Sequence, residues 1–312
     1  MHIPICLASD RNYVQHLSVT IASILKNKTE SDSIRFYILE NALIDEDYQK
    51  LEQLKSIADF EIKYISVTNK ILDVCPFQDN DRLSIVTYFR LFIPELIPLE
   101  DKIIYLDCDL IVRCNLAKLY EIDVGNNYML GVRDIDSRKN IKRLGTKRYI
   151  NGGVQLINSK KMRNDGITNR FIDFIVHNKE KILLHDQDII AAVLNEKISY
   201  LPPNWNGQIG HFPFNMNFSR LHDAYILHYI GKNKPWLPYT KATMTEDYFK
   251  YLKLTPFAAF EKNYRKHRFF YKLLRSYSFL GRLFYIKRTS PRNTFRQYSI
   301  LGFRFRKRKK QI

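Results

Sequence analysis

Two hydrophobic periods alternate along residues 3–106. Short, mostly apolar runs predict buried strands, and between them apolar residues recur every three or four positions, which predicts amphipathic helices. This repeated order of strand and helix predicts an α/β fold with a mostly parallel sheet flanked by helices. The predicted strands are 3–8, 34–39, 62–67 and 103–106, and the predicted helices are 16–27, 48–57 and 84–97.

Beyond residue 109 the pattern is less regular. It predicts short strands near 128–132, 153–157 and 198–202 and a helix over about 186–195. Residues 203–240 are rich in Asn, Pro, Gly and aromatic residues, which is typical of functional loops. Ligands of parallel sheets bind at the carboxyl ends of the strands, so the polar residues that follow the predicted strands are the first candidates for a site.

Composition narrows the class of protein. The chain has 312 residues, 45% of them apolar and 26% charged, which is typical of a globular protein with a substantial core. It contains no apolar run of about 18 residues or more, so a polytopic membrane protein is excluded. The first residues lack the pattern of a secretory signal, and the four cysteines show no C-x-x-C spacing, so we expect a reduced cytosolic compartment.

The net charge of +18 is concentrated at one end of the chain. Residues 262–312 hold 17 Lys or Arg and no acidic residue, whereas the rest of the chain holds 33 basic and 32 acidic residues. We therefore predict a nearly neutral domain over 1–260 and a basic, aromatic, helical tail over 261–312. Such a tail indicates an anionic partner, either a membrane surface or nucleic acid.

The sharpest local signal is Asp107-Cys108-Asp109, which follows the apolar run of residues 103–106. Side chains two apart on a strand share a face, so both carboxylates converge at the end of the strand. A cation or a proton must relieve their repulsion, and Mg²⁺ or Mn²⁺ prefers such oxygen ligands. The alternative is an ordinary strand exit with two solvated carboxylates.

Two further clusters carry candidate chemistry. Asp186 and Gln187 precede the apolar run IIAAVL, where they form either a polar pocket at a helix N-terminus or a simple helix cap. His228 is either a metal ligand through its imidazole or a satisfied core residue. Gly231 permits close approach of the backbone, and Lys234 can neutralise a phosphate.

A fourth cluster follows the first predicted strand. Asp10 and Asn12 can hydrogen-bond a nucleobase edge, and Tyr13 can stack on it. The segment matches neither a G-x-G-x-x-G fingerprint nor a Walker loop, so the known dinucleotide and ATP phosphate motifs do not apply. The alternative is a bare turn.

Taken together and in this order, these segments resemble the retaining glycosyltransferases of family 8, in particular bacterial lipopolysaccharide galactosyl- and glucosyltransferases. The resemblance covers residues 3–240. The matching segments are ASDRNYV (8–14), SIVTYFRL (84–91), YLDCDLIV (105–112), INGGVQLIN (150–158), HDQDII (185–190), LPPNWN (201–206) and LHYIGKNKPW (227–236).

The resemblance implies a single GT-A-type nucleotide-sugar-binding domain. It also implies transfer of a hexose, galactose or glucose, from a UDP-sugar to a saccharide acceptor such as lipopolysaccharide or lipooligosaccharide, with retention and with Mn²⁺ or Mg²⁺. It implies metal ligands at Asp107, Asp109 and His228 and catalytic roles for Asp186, Gln187 and Asp188. The residues implied to bind the donor are Ala8, Asp10, Asn12, Tyr13, Arg90, Asp107, Cys108, Asp109, Asn151, Asp186, Gln187, His228, Gly231 and Lys234.

Some choices stay open in the sequence. Retention is explained either by double displacement, with Asp188 as the carboxylate available for a covalent role, or by front-face attack. The segment FQDNDRL, 77–83, departs from the family pattern in a region that helps to form the acceptor pocket, so the acceptor is not identified.

Other functions fit parts of the sequence less well. An aspartyl phosphatase of the haloacid-dehalogenase class has its D-x-D near the N-terminus and Thr or Val four residues later, whereas position 111 is Ile. A nucleic-acid-binding protein would use the tail but leave the first 260 residues unexplained. The intact motifs argue against an inactive relative.

The tail interleaves its basic residues with 12 aromatic residues. Residues 269–284 mix apolar and basic positions at helical spacing, which suits a segment lying in a membrane interface. We therefore expect a peripheral protein on the cytoplasmic face of the bacterial inner membrane, with an anionic membrane surface and a lipid-linked oligosaccharide among its partners.

Overall fold

A seven-stranded sheet forms the centre of the fold. The computed structural model describes residues 1–67, 75–76, 85–210, 221–280, 286–289, 295–300 and 303–308. Four pairings within this sheet are parallel, and β7 is antiparallel to both of its neighbours, so the predicted mostly parallel α/β sheet is confirmed. In the order of the sheet, the strands are β3 (Glu61–Ser66), β2 (Ser33–Asn41), β1 (His2–Asp10), β4 (Ile103–Leu106), β7 (Ile150–Ile157), β6 (Met129–Arg133) and β8 (Ile198–Tyr200).

Helices connect and flank these strands. The α-helices are α1 (Val14–Asn27), α2 (Asp45–Glu52), α3 (Ile93–Leu96), α4 (Ala117–Tyr120), α5 (Ser137–Leu144), α6 (Ser159–Asn164), α7 (Ile167–His177), α8 (His185–Leu194) and α9 (Thr245–Leu252). Short 3₁₀ helices lie at Arg11–Tyr13, Gln53–Ser56, Ile85–Phe92, Lys179–Lys181, Asn195–Lys197 and Pro203–Trp205.

The central strands are apolar on both faces because both faces are covered. Along β1, Ile5 and Leu7 lie in a core that includes Leu17 and Ile21 of α1. Cys6 lies on the other face, in a second core with residues of α7 and α8. Alternate side chains of a strand point to opposite faces, so a strand buried between two helical layers has no polar side.

One predicted helix has a different form. The sequence predicts a helix over 84–97, whereas Ile85–Phe92 is a 3₁₀ helix and the α-helix begins only at Ile93. Pro94 explains the change, because a proline ring inside an α-helix clashes with the carbonyl four residues before it but is tolerated in the first turn. The predicted helix at 186–195 and the strand beginning at 198 are confirmed.

A small second sheet lies beside the end of β4. It contains β5 (Leu110–Val112), β10 (Ile226–His228) and β9 (Gly207–Gln208), with β10 in the middle. β10 is antiparallel to β5 and parallel to β9. Two short strands therefore interrupt the predicted loop region 203–240, of which residues 211–220 lie outside the described residues, as does the predicted acceptor segment 77–83.

The chain divides into two units. The first comprises Met1–Pro235 and Lys241–Ala258, and the second comprises Trp236–Thr240 and Ala259–Ile312. The proposed division into a domain of residues 1–260 and a tail of residues 261–312 stays a prediction.

The second unit corrects part of the predicted helical tail. Helix α10 (Phe260–Leu280) agrees with the prediction, but it is followed by an antiparallel sheet of β11 (Ile286–Thr289), β12 (Phe295–Ile300) and β13 (Phe303–Arg308). The sequence of β13 explains the difference. In FRFRKR, aromatic and basic residues alternate at Phe303–Arg306, which is the period of a strand and not of a helix.

The four cysteines are free thiols, three of them buried. Burial raises the pKa of Cys75 to about 12, so its thiol stays protonated. Among the helices of the described residues, none has the length and apolar character required to cross a membrane.

Candidate active site

The two carboxylates of the D-x-D sequence lie where β4 ends. The strand is completely buried, and the next residues reach the edge of the sheet, where the side chains of Asp107 and Asp109 are 24% and 12% exposed. The backbone N–H of Asp107 donates to the carbonyl oxygen of Gly153 on β7 at 3.0 Å, which fixes the exit of the chain. Neither carboxylate is therefore a freely solvated loop residue.

His228 reaches the same point from the second sheet. It is the last residue of β10 and pairs with Leu110, just after Asp109. Its Nε2 lies 3.1 Å from Oδ1 of Asp109 and 3.7 Å from Oδ2 of Asp107. One ligand atom from each residue lies within 4.8 Å of the other two. The structure thus brings together the three residues predicted to bind metal.

The donor set fits a divalent cation. Oδ1 of Asp109 is buried and has no aligned hydrogen bond from the described residues, although Nε2 of His228 lies 3.1 Å away. Oδ1 of Asp107 accepts from Nη2 of Arg90 at 2.7 Å and from the hydroxyl of Tyr105 at 3.0 Å, which turns Oδ2 towards His228. Two carboxylates and one imidazole are suitable ligands for Mn²⁺, and Mg²⁺ accepts the carboxylates.

Two consecutive glycines line this region. A Cβ at Gly153 would lie 2.7 Å from Nδ1 of His228 and 2.9 Å from Oδ2 of Asp107. A Cβ at Gly152 would lie 2.7 Å from Nη1 of Arg90 and 2.9 Å from Oδ2 of Asp186. Both positions need the absence of a side chain because functional groups occupy the space.

Lys234 adds a positive charge to the acidic pair. Its Nζ contacts Oδ2 of Asp109 and donates to the carbonyl oxygen of Tyr229 at 2.6 Å. Burial favours a raised pKa at Asp109, but Lys234 and His228 outweigh it and hold this pKa well below its ordinary value. The turn before Lys234 uses Gly231 with φ +66°, a backbone conformation that L-residues with a side chain adopt rarely.

Arg90 joins the acidic pair to Asp186. This buried guanidinium donates to Asp107 as described and to the carbonyl oxygen of Gly152 at 2.7 Å. Its Nε lies 3.2 Å from Oδ2 of Asp186, while Oδ1 of Asp186 accepts from Thr87 at 2.8 Å. Burial raises the pKa of Asp186, against the lowering effect of Arg90. Oδ2 accepts no hydrogen bond from the described residues, which leaves a buried acceptor in the pocket.

Gln187 and Asn151 lie beside this pocket. Oε1 of Gln187 accepts from the backbone N–H of Gly152 at 2.8 Å and lies 3.3 Å from Nδ2 of Asn151. The amide of Gln187 is thus held by β7. The predicted contact of both residues with the donor sugar stays a prediction.

Asp188 lies in different surroundings from Asp186, and its predicted catalytic role stays a prediction. Its Oδ1 accepts from Arg143 at 2.6 Å and Tyr149 at 2.7 Å, and its Oδ2 accepts from the backbone N–H groups of Leu183 and Leu184 at 2.7 and 2.8 Å. The carboxylate is completely buried and both of its oxygens are occupied. Residues two apart on a helix do not share a face, so Asp188 points away from Asp186 and braces α8.

The predicted nucleotide residues follow β1, which is a parallel neighbour of β4. Oδ1 of Asp10 accepts from the backbone N–H of Asn12 at 2.9 Å, so this carboxylate shapes the turn. Asn12 is exposed, and the partly exposed ring of Tyr13 packs edge-on against His16. The Sγ of the buried Cys108 donates to the carbonyl oxygen of Ala8 at 3.0 Å, which joins the two strand ends.

Sequence reasoning missed several residues of this site. Tyr105 and Thr87 orient carboxylates, Gly152 and Gly153 make room for them, and Oδ1 of Asn206 lies 3.1 Å from Nδ1 of His228. The pair of glycines in the predicted strand 153–157 was an available signal, because glycine inside a strand often marks close approach of a ligand or side chain.

Comparison with known proteins identifies the fold and the family. Residues 4–240 match the profile of glycosyl transferase family 8, a range that contains every residue of the candidate site. The chain is 27% identical over 275 residues to General stress protein A of Bacillus subtilis, covering 82% of this chain and 94% of that protein. It is 24% identical over 242 residues to the lipopolysaccharide 1,2-glucosyltransferase of Escherichia coli, covering 73% and 70%.

A solved structure agrees with these matches. The galactosyltransferase LgtC, crystallised with donor and acceptor sugar analogues, superposes with a TM-score of 0.71 at 25% identity, covering 81% of this chain and 96% of LgtC. Some relatives are longer, and the chain spans 29% of the glycosyltransferase GlyD of Streptococcus pneumoniae. The predicted resemblance is therefore confirmed, and the chain belongs to glycosyl transferase family 8.

Proposed function

We propose that this glycosyltransferase transfers galactose or glucose from a UDP-sugar to a saccharide acceptor with retention of the anomeric configuration. The observation that carries the proposal is the convergence of Asp107, Asp109 and His228 within 4.8 Å, beside the pocket of Arg90 and Asp186. A nucleoside diphosphate sugar presents a diphosphate and a sugar next to each other. A cation site next to a polar pocket matches that arrangement.

Asp107, Asp109 and His228 would hold the cation, Mn²⁺ or Mg²⁺. When bound, the ion supplies positive charge that stabilises the diphosphate as it leaves. The ammonium of Lys234, already at this edge of the site, would contact the same diphosphate. Asp109 stays ionised at neutral pH because its pKa is lowered, so it is ready to bind a cation without losing a proton.

The sugar would lie against Asp186 and Gln187. Oδ2 of Asp186, which lies 3.2 Å from Nε of Arg90, is placed to accept a hydrogen bond from a sugar hydroxyl or to stabilise positive charge at the anomeric carbon. Arg90 keeps this carboxyl in position, and the ring of Tyr13 would stack on the uracil. Since both oxygens of Asp188 are occupied, Asp188 is not the nucleophile of a double displacement, and front-face attack needs no further carboxylate.

One relative supports a lipopolysaccharide or lipooligosaccharide acceptor, because it is named a lipopolysaccharide 1,2-glucosyltransferase. Helix α10 supports docking on an anionic membrane of the cytoplasmic face. Its residues Phe269, Phe270 and Tyr271 are 63%, 48% and 39% exposed, among basic neighbours. A lipid-linked acceptor and a membrane-bound enzyme would be confined to one plane.

The test is a donor panel. Purified protein is incubated with UDP-galactose, UDP-glucose and the corresponding N-acetylhexosamine donors, and UDP release is measured with Mn²⁺, with Mg²⁺ and with EDTA. We expect hydrolysis of one or both UDP-hexoses, abolished by EDTA and restored by Mn²⁺. UDP release that is unchanged by EDTA, or hydrolysis of simple phosphomonoesters in its place, would contradict the proposal.

A further inference from the structure

A continuous chain of buried polar side chains leads from Asp134 to His228. Oδ2 of Asp134 lies 3.2 Å from Nδ2 of Asn151, and Oδ1 of Asn151 lies 2.9 Å from Nδ2 of Asn206. Oδ1 of Asn206 then lies 3.1 Å from Nδ1 of His228. All four side chains are buried, with exposures of 8% or less. Only Asn151 and His228 were predicted site residues.

The amide of Asn151 has one possible orientation. The backbone N–H of Gly153 is only a donor, and it points at Oδ1 of Asn151 at 3.2 Å. The carboxylate of Asp134 only accepts when ionised, and it faces Nδ2. Both contacts require the same orientation of the amide, so Oδ1 of Asn151 accepts and Nδ2 donates.

The orientation of the Asn151 amide fixes the orientation of the Asn206 amide. Because Oδ1 of Asn151 accepts, the group of Asn206 that faces it must be the donating Nδ2. The other end of that amide, Oδ1, therefore faces His228. An amide oxygen can only accept, so Nδ1 of His228 must carry a hydrogen.

A neutral imidazole with a hydrogen on Nδ1 has its lone pair on Nε2. This is the nitrogen that lies beside Asp107 and Asp109.

We propose that Asp134 and Asn206 are positioning residues that select the Nδ1–H tautomer of His228 and so present Nε2 to a divalent cation. Neither residue belongs to the cation's donor set; they act through Asn151 and the imidazole. Hydrogen-bond partners of a metal-binding histidine commonly fix its tautomer in this way. The inference rests on the cation site of the proposed function, but the tautomer is observable without turnover.

The first experiment measures the tautomer of His228 directly. Protein labelled with ¹⁵N-histidine is loaded with Mg²⁺, and the two ring nitrogens of His228 are identified by comparison with His228→Gln. We expect a protonated Nδ1 and an unprotonated Nε2 in the wild type. Asn206→Leu should move the proton to Nε2 or give a mixture. A wild-type imidazole protonated only at Nε2, or a tautomer unchanged in Asn206→Leu, would overturn the inference.

The second experiment separates tautomer selection from packing. Asn206→Asp keeps an acceptor for Nδ1 but loses the bond to Asn151, so it should retain the Nδ1–H tautomer and bind Mn²⁺ at least as well as the wild type. Asn206→Leu should lower Mn²⁺ affinity by about 10- to 100-fold, as measured by electron paramagnetic resonance. If both variants lost affinity equally, Asn206 would be a packing residue and the inference would fail.

Asn140 provides a control for the Asn206 variants. Asn140, another buried asparagine, lies on α5 and accepts from Arg143. Asn140→Leu should change neither the tautomer nor Mn²⁺ affinity. A wild type that binds Mn²⁺ and hydrolyses UDP-sugar while Asn206→Leu leaves the tautomer unchanged refutes only the inference. A wild type with the Nδ1–H tautomer but no UDP-sugar hydrolysis supports the inference and refutes the proposed function.

Discussion

At the scale of single residues, the site consists of carboxylates in very different surroundings. Asp109 has a lowered pKa beside Lys234 and His228, whereas burial raises the pKa of Asp186. The two carboxylate oxygens of Asp188 accept four hydrogen bonds. The same functional group is thus suited to bind a cation, to face a sugar and to brace a helix.

Replacing Asp186 or Asp188 by Asn tests whether these two carboxylates have different roles. Asp186→Asn should lower sugar transfer by about a hundredfold or more while UDP affinity stays nearly unchanged, because the residue faces the sugar and not the nucleotide. Asp188→Asn should lower the free energy of unfolding by about 2 kcal/mol or more, since it removes the charge paired with Arg143.

Transfer kinetics, UDP calorimetry and urea unfolding distinguish the two variants. If Asp186→Asn weakened UDP binding as much as it slowed transfer, or if Asp188→Asn were as stable as the wild type, the division would be wrong.

Gly153 offers a second test at this scale. Gly153→Ala places a methyl group 2.7 Å from Nδ1 of His228, so the imidazole must move and Mn²⁺ affinity should fall by at least about tenfold. Gly131→Ala is the control, because the three atoms nearest to its Cβ, at 2.7 to 3.3 Å, all belong to the Ile150 side chain and none to the candidate site. We expect Gly131→Ala to cost stability, about 1–3 kcal/mol, without loss of Mn²⁺ binding. Equal Mn²⁺ affinity in both variants would contradict this account.

The sequence predicted the site residues that lie in recognisable motifs. It missed the residues that orient the side chains of the site. Asp107, Asp109 and His228 follow apolar strands, which is a local signal. Asn206 contacts His228 and Asn151 across 22 and 55 residues of sequence, and no local pattern encodes such a contact. Asp188, which the sequence placed with Asp186, has both carboxylate oxygens occupied on a different side of α8, and its catalytic role stays a prediction.

At the scale of elements, strand order places the site. β1 and β4 are parallel neighbours, so the turn after β1 and the carboxylates after β4 meet at one edge. β10 then approaches β5 from the other sheet. Hydrophobic runs predicted the parallel strands, but β9 and β10 were missed because strands of two or three residues hardly differ from loops in their pattern.

The packing of α1 on α9 predicts a pH dependence of stability. His16 of α1 is buried, and its Nδ1 lies 2.8 Å from the hydroxyl of Tyr248 on α9. Burial, assisted by Lys234, lowers the pKa of His16 to about 3 from 6.5 in the unfolded chain. Between these values the unfolded state binds the extra proton, so the stability that His16 contributes above pH 6.5 is lost as the pH falls towards 3.

Urea unfolding between pH 7 and pH 4 tests this sign. Relative to His16→Gln, the free energy of unfolding of the wild type should fall by up to about 1.4 kcal/mol per pH unit below pH 6.5. The exposed His222 is the control, and His222→Gln should follow the wild-type curve. Parallel curves for the wild type and His16→Gln would show that His16 protonates equally in both states.

At the scale of the whole molecule, the positive charge is concentrated near one end of the sequence. The 17 basic residues of 262–312 contribute nearly all of the net charge of +18, while the rest of the chain carries about equal numbers of both signs. The sequence predicted this asymmetry and the helix at its start, but not the three strands that follow.

Flotation with vesicles tests the membrane proposal. The full chain should float with anionic phosphatidylglycerol vesicles at low salt and much less with neutral vesicles, since each basic residue near an anionic surface contributes about 1 kcal/mol at best. A chain ending at residue 280 should float less, as should the double variant Phe269→Ser with Phe270→Ser. Leu99→Ser is the control, because Leu99 is 79% exposed outside the second unit. Undiminished flotation of both changed proteins would place membrane binding elsewhere.

The most direct test of the whole account is UDP release from a saturating UDP-hexose with Mn²⁺, comparing the wild type with Asp107→Asn and Asp109→Asn. Each variant keeps the shape of a carboxylate while removing its charge from the candidate cation site. We expect turnover to fall by about a hundredfold or more in both, with an unchanged circular dichroism spectrum, because stabilisation of the leaving diphosphate depends on the bound cation. Near-normal turnover by both variants would contradict the assignment of this site.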